Sequence, residues 1–267
     1  MIKALTSHNT TWITGTPRTG SMWTKNVTRE IFRMAGYKVL PEKYSKYDED
    51  CFEKYINSSL QDASSCNRYV FKTHIALKLD LARSKYIVNI RNPYEVCTSF
   101  YQFMKCDLEK AIDIGLSLSN TIDYYSQISN DNLLKIRYED LESYPINIIK
   151  KIASFVEIEL QEDMYELISN KFSKKQVQSI IKECETNISK KLNETGKASK
   201  DEIVIISPKF IRAFDVHTGF QSGHIAPRRS SEWRKIFSQP EIDKIINLID
   251  DKAIELGYKS EKNDMLL

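Results

Sequence analysis

Residues Thr14 to Trp23 read TGTPRTGSMW, with Gly15 and Gly20 at the spacing of a phosphate-binding loop. A loop of this kind that handles a nucleoside triphosphate continues after its second glycine with Lys, for the β/γ-phosphates, and with Ser or Thr, for Mg²⁺. Ser21 and Met22 occupy those two positions here. Backbone N–H groups at a helix start, together with the positive end of the helix dipole, still hold a phosphate group. The loop therefore suits a phosphate bound without metal. Further along, RYVFKTH closes on Lys72-Thr73-His74, KYIVNIR closes on Arg91 with Ser99 eight residues on, and LLKIRYEDL carries Arg137 and Tyr138. A triphosphatase would end one such strand in Asp to help hold the metal, where this chain has the cation Arg91. The set is cations, hydroxyls, a histidine and an aromatic ring, and its first carboxylates arrive at Glu139 and Asp140. Any one of these residues alone has an ordinary structural explanation. Together they describe a pocket for a small polyanion with a base at its edge.

Such a pocket needs strands that end side by side, because ligands of open α/β sheets sit beyond the carboxyl ends of the strands. Thr11 to Gly15 is a β-prone run, and Trp23, Val27, Ile31 and Met34 then recur at helical steps of three or four. Gly36 is a plausible stop for that helix. Residues 40–67 are polar and tyrosine-rich, a loop region with a short helix. Arg68 to His74 and Lys85 to Arg91 read as a second and third strand, without the clean alternation of a sheet that faces water. Asn92-Pro93 opens a helix, and Leu133 to Leu141 is a fourth strand running into a turn. Pro145 to Val156 and Glu162 to Ile168 are amphipathic. Lys171 to Asp201 is lysine-rich, a helix and then a mobile loop, and residues 174–200 read as a solvated face. SSEWRKIF and a final helix over Pro240 to Leu256 close the chain. This alternation predicts an α/β fold: a single domain over 1–267 with a central, mostly parallel sheet flanked by helices and the phosphate loop after the first strand. Residues 40–67 and 171–201 are expected to be variable, mobile segments on the substrate side.

With 267 residues, 41% of them hydrophobic, the chain can bury a sizeable core. A formal net charge of +3 is too mild to argue for nucleic acid. The five cysteines form no C-x-x-C pair, which fits free thiols in a reducing compartment and neither a disulfide framework nor a zinc site. No apolar run is long enough for a signal peptide or a membrane span. A cytoplasmic location with no membrane or nucleic-acid partner is expected.

The segments TPRTGSMW, FKTH, IRNPYEVCTSFY, IRYEDL and RRSSEW, in that order, resemble the cytosolic type of sulfotransferase that depends on 3′-phosphoadenosine-5′-phosphosulfate (PAPS). In that family the first loop reads close to P-K-[ST]-G-[ST]-T-W and grips the 5′-phosphosulfate. The resemblance puts Arg18, Thr19, Gly20, Ser21, Met22 and Trp23 on that loop, with Trp23 where the family stacks adenine. It matches Lys72-Thr73-His74 to the K-[ST]-H element, whose histidine is the general base. It matches Arg91 and Ser99 to the pair that binds the 3′-phosphate, and Tyr138 to the tyrosine beside the adenine. The implied cofactor is PAPS, the product adenosine 3′,5′-bisphosphate (PAP), with no metal required. The implied reaction moves a sulfuryl group to a hydroxyl or amine of a small-molecule acceptor, with His74, Arg18 and Lys72 catalytic. Bacterial members that tailor natural products, alkaloids included, are similar in this broad sense.

The chain also departs from the pattern. The family's loop lysine is Arg18, a rigid five-donor fork in place of a flexible point charge. The late R-K-G-x-x-G-D-W element is shortened to Arg228-Arg229-Ser230-Ser231-Glu232-Trp233; its arginines still suit a 3′-phosphate, but the glycines that let backbone approach are gone. A Ser/Thr-Phe pair that helps hold the nucleotide maps to Phe172-Ser173 by spacing, the preferred assignment, or to Thr218 and Phe220 by local likeness. The family's dimerisation pattern is not recognisable around Phe237 to Glu241. YDEDCFEKY, Tyr47 to Tyr55, suits either a cationic acceptor or a plain solvated loop. Two other readings stay open on the residues alone: a P-loop kinase for a nucleoside or small metabolite, and an inactive nucleotide-binding relative.

Overall fold

Why the strand ends converge is visible in the register of one sheet. In the computed structural model, which describes residues 9–45, 55, 66–74, 84–207, 210–225 and 230–262, strands β1 (Thr10–Thr14), β2 (Lys38–Leu40), β3 (Asn67–Lys72), β4 (Lys85–Ile90) and β5 (Leu133–Arg137) form a five-stranded sheet in the order β2-β3-β1-β4-β5. Every pairing is parallel, with Ile13 beside Lys72, Thr14 beside Val88 and Ile90 beside Arg137. The ends of β1, β3, β4 and β5 therefore open on one edge, as the strand-end cations require.

The weak alternation of these strands has a physical cause: both faces are covered. Ile13, Val70, Ile87, Leu134 and Ile136 point into a core built with α1 (Ser21–Met34), α5 (Pro145–Phe155) and α6 (Glu162–Lys171). Their neighbours Trp12, Phe71, Tyr86, Val88 and Ile90 point the other way, toward Val96 of α2 (Pro93–Met104) and Leu118 and Ile122 of α3 (Leu108–Tyr125). Each fully buried aliphatic side chain of this kind contributes about 1.5–3 kcal/mol. Helix α2 starts where the sequence says it should: the Asn92 side chain accepts the Tyr94 N–H at 3.0 Å, and Pro93 occupies the first turn.

Several boundaries differ from the sequence expectation. The fourth strand stops at Arg137, and Tyr138–Ser143 is a short helix, α4. Helix α3, whose buried Leu108, Ala111, Ile112, Leu118, Ile122 and Tyr125 recur at helical steps behind an Asp107 cap, was not among the expected elements, and neither was the hairpin of β6 (Ile203–Ser207) with β7 (Phe210–Ala213). Residues Lys174–Thr195 form one 22-residue helix, α7, that buries only Val177, Ile181 and Ile188, so Lys174, Lys175, Lys182 and Lys190 face solvent. The final helix, α8 (Gln239–Glu255), begins with a reciprocal cap between Ser238 and Glu241. It packs with α2 and α3 around Tyr94, Trp233, Ile245 and Ile249. Of the segment Tyr47 to Tyr55 all but Tyr55, together with Arg228 and Arg229, lies outside the described residues.

Candidate active site

Gly15 and Gly20 are fixed by their surroundings. Gly15 has φ 132°, and a Cβ there would stand 2.7 Å from the Asn89 carbonyl oxygen. Gly20 has φ 88°, and a Cβ there would stand 3.0 Å from the Tyr138 ring. Both the left-handed backbone and the close approach demand glycine. Gly20 is also the N-cap of α1, with no side chain capping it and no acidic residue in the first turn. A helix start left uncapped and unopposed is an anion site in waiting. Thr19 tightens the loop from within, its buried hydroxyl donating to the Thr16 carbonyl at 2.8 Å. Behind the loop, Asn89 of β4 donates to the Thr24 hydroxyl at 2.8 Å.

In front of it lies a cavity of about 590 Å³. Its end beside the loop is lined by Arg18, Ser21, Lys72, His74, Arg91 and Ser99. His74 Nδ1 is 2.7 Å from the Gly15 carbonyl oxygen, and Nε2 is 3.0 Å from Lys72 Nζ. A carbonyl only accepts, so Nδ1 carries the proton and Nε2 presents its lone pair. The imidazole thus stands in the tautomer of a base, with Lys72 as the cation next to it.

Arg18 ties three walls together. Its Nε donates to Ser99 Oγ at 3.0 Å and its Nη2 donates to the carbonyls of Gly223 and His224. Its guanidinium lies 4.1 Å from the Phe103 ring centroid. Burial first, and then the neighbouring Arg91, pull Arg18 down to about 9, which leaves it protonated at neutral pH. The residue sits at φ 73°, a left-handed conformation that costs a non-glycine residue about 1–2 kcal/mol. Arg91 holds it there, donating to the Arg18 carbonyl at 2.9 Å. Arg91 also pairs with buried Glu95 and stacks 4.0 Å from the Tyr138 centroid. Burial is the main cause that raises the Tyr138 phenol, and the Tyr138 hydroxyl donates to Glu142 at 3.1 Å. Trp23 lines the cavity with its indole N–H on the Phe172 carbonyl, 3.1 Å away. Met22 and Ser173 also line it; Ser173 Oγ accepts the Gln176 N–H as the N-cap of α7.

The structure thus brings Arg18, Gly20, Ser21, Met22, Trp23, Lys72, His74, Arg91, Ser99, Tyr138 and Ser173 onto one cavity. Thr19 is turned inward. Phe172-Ser173 and Phe220 are both on the wall, while Thr218 serves a turn, its hydroxyl on Asp215 at 2.5 Å. Sequence reasoning missed the opposite end, where α2 supplies Phe100, Phe103 and Met104 and residues 214–225 supply Phe214, Gln221 and His224. His224 lies over Phe103, with centroids 5.5 Å apart, and edge-on to Phe220. Buried Arg212 caps Phe103 at 3.6 Å from its centroid and donates to its carbonyl. The only signal for this end was that His224 is one of four histidines, in the run GFQSGH. Among the described residues, no three His, Cys, Asp or Glu side chains gather as a metal site. No described helix is long and apolar enough to cross a membrane.

A parallel sheet thus gathers a glycine loop, an uncapped helix start and a Lys-His pair on one edge. The sulfotransferase domain model matches residues 8–216, and the chain belongs to the sulfotransferase family, the enzymes that draw on PAPS. It is 24% identical over 256 residues to an amine sulfotransferase of Oryctolagus cuniculus, covering 88% of this chain and 81% of that one. It is 23% identical over 288 residues to a flavonol 3-sulfotransferase of Flaveria bidentis, covering 93% and 83%. The fold is shared with retinol dehydratase solved with androsterone and inactive cofactor PAP, at TM-score 0.54 and 16% identity, covering 91% and 80% of the two chains.

Proposed function

We propose that the protein transfers a sulfuryl group from PAPS to a hydroxyl or amine of a small-molecule acceptor, with His74 as the general base. The observation that carries this reading is the His74 ring. It is held by the Gly15 carbonyl on one side and faces Lys72 on the other, at the lip of a loop whose glycines cannot be replaced. The relatives' own names, an amine sulfotransferase and a flavonol 3-sulfotransferase, and the androsterone in the solved neighbour point to small acceptors.

The donor, when bound, supplies a sulfuryl group activated by a phosphate leaving group. The first turn of α1, with Ser21, would hold its 5′-phosphate end. Arg91 and Ser99 would hold the 3′-phosphate, and Trp23 and Tyr138 would flank the base. Three residues work at the reacting centre. Nε2 of His74 takes the acceptor's proton, a step contributing typically ~10²–10⁴ in rate. Lys72, in contact with His74, would set its ammonium against the charge that develops on the leaving oxygen. Arg18 supports the same charge from the loop, by preorganised electrostatics. Little covalent work is asked of the protein, so positioning dominates.

Calorimetry with PAP and with ATP, each with and without Mg²⁺, tests the reading. PAP is expected to bind tightly and independently of metal, with ATP much weaker. A preference for Mg²⁺-ATP would overturn the proposal in favour of a kinase. PAP binding with no turnover of any acceptor would leave an inactive relative.

A further inference from the structure

The mechanism above uses one imidazole, yet the cavity has two. His224 accepts the Gln221 backbone N–H at its Nδ1, 3.2 Å away. A ring nitrogen that accepts is unprotonated, so in the neutral ring the proton sits on Nε2. Burial, then the cations Arg18, Lys72 and Arg212 and the nearby His74, hold this ring neutral, well below the usual histidine range. His224 lines the cavity, its carbonyl is tied to Arg18, and its ring is fixed between Phe103 and Phe220. Its Nε2–H makes no hydrogen bond among the described residues. His74 is thus a fixed acceptor and His224 a fixed donor, on one cavity.

Resting on the sulfotransferase reading, we propose that His224 is a positioning residue whose Nε2–H holds the acceptor's nucleophilic oxygen, and that it selects hydroxyl acceptors over amines. The chemistry decides the sign. A hydroxyl oxygen has two lone pairs. One can accept from His224 while the other attacks sulfur; the O–H proton passes to His74 Nε2, the O–S bond forms, and the S–O bond to the 5′-phosphate breaks with its electron pair leaving on PAP. A neutral amine has a single lone pair. If that pair accepts from His224 it cannot attack, and an ammonium has no pair at all. The walls agree: the aromatic end is Phe100, Phe103, Met104, Phe214 and Phe220, and the sole carboxylate on the described lining, Glu142, is engaged by Tyr138. An uncharged aromatic alcohol, a phenol or naphthol, fits this lining; a cation gains nothing from it.

The probes are 2-naphthol and 2-naphthylamine, nearly identical in shape. With PAP bound, 2-naphthol is expected to bind at least about tenfold more tightly than 2-naphthylamine, the scale of one hydrogen bond to a fixed donor. His224→Phe keeps the aromatic stack and removes the donor, and should erase that ratio while PAP affinity stays within about twofold; His224→Gln, which restores an N–H donor, should recover part of it. Nitrogen NMR of ¹⁵N-histidine-labelled protein should show His224 as the neutral Nε2–H tautomer. An Nδ1–H tautomer, a ratio near or below one (with neither probe binding counted as such), or a ratio that survives His224→Phe would overturn the assignment. So would an equal loss toward both probes, which would mean that the ring serves the sulfuryl group. Failure of PAP itself to bind would overturn the sulfotransferase reading and this inference with it.

Discussion

The cavity end proposed for phosphate is carried mainly by a parallel sheet and the end proposed for the acceptor by α2 and the chain from Phe214 to Ile225, and the two ends differ in chemistry as well as in support. At the first, strand register sets Lys72 beside Ile13 and Ile90 beside Arg137, and the cations follow the strand ends. At the second, Phe103, Phe220 and His224 hold one another by ring contacts, and turns at Gly219 and Gly223 carry the wall. A polyanion with fixed geometry suits fixed strand ends, whereas an acceptor is read by side chains on turns that tolerate change. Arg18 touches both ends, through Ser99 and through the carbonyls of Gly223 and His224.

The sharpest way to separate the ends is to remove chemistry without removing binding. His74→Ala should lower kcat by about 10²–10⁴, with PAP affinity by calorimetry nearly unchanged. A comparable loss of PAP affinity would mean that His74 shapes the phosphate end instead of acting on the acceptor. Next in size is the bidentate fork of Arg91. Arg91→Lys keeps a cation next to Glu95 but gives up the fork that reaches both Glu95 and the Arg18 carbonyl. PAP should bind about 1.5–3 kcal/mol more weakly, while adenosine 5′-phosphate, which lacks the 3′-phosphate, changes little. Equal losses for both nucleotides would detach Arg91 from 3′-phosphate selection.

The phosphate end was legible because its residues are tied to strand ends, where type and order carry the message. TGTPRTGSMW needs a strand before it and a helix after it, and β1 and α1 are both visible from apolar spacing. The acceptor end was not legible for a physical reason. Phe100 and Phe103 read as ordinary faces of a helix, and His224 gains its meaning only from Phe103, 121 residues earlier in the chain. Hairpin β6-β7 was missed because it holds just nine strand residues in all and exposes Ile205 and Ile211, so it offers no clean period. Helix α7, in contrast, was foreseen as helix, and its lysines as solvated, because its few buried positions leave the charges outside.

Support for the phosphate end runs deeper than the loop. Tyr94 of α2, two residues past the Asn92 cap, donates to Asp250 Oδ1 at 2.6 Å, and Asp250 also accepts from Ser260 Oγ and the Glu261 N–H, both at 2.7 Å. Burial opposes the Asp250 charge, but these donors prevail and its carboxyl stays below the usual range. A depressed folded value means stability that is fully present above the unfolded pKa and lost as pH falls through the folded one. Asp250→Asn should therefore cost about 1.5 kcal/mol at neutral pH, in urea melts, and the gap from wild type should close on acidification. A gap that widens in acid would contradict the sign of the shift. PAP affinity should follow stability only weakly, because Asp250 stands behind α2 and not on the cavity.

The smallest expected effect tests a boundary between the two regions. Ser173 caps α7 by accepting the Gln176 N–H at 3.3 Å, and it also lines the cavity. A hydroxyl that accepts in this way keeps its own proton for another partner. Ser173→Ala should lose the cap, about 1 kcal/mol of stability, together with any contact to the nucleotide. Ser173→Asp keeps a capping oxygen, and so the stability, but sets a negative charge against an anion. If Ser173 touches the nucleotide, PAP affinity falls in both variants and falls further in the aspartate one, even though that variant is the more stable of the two. If Ser173 is only a cap, Ser173→Ala lowers the melting temperature and leaves PAP affinity where it was. The opposite orders of stability and affinity across the pair separate a helix start that merely borders the phosphate end from one that belongs to it.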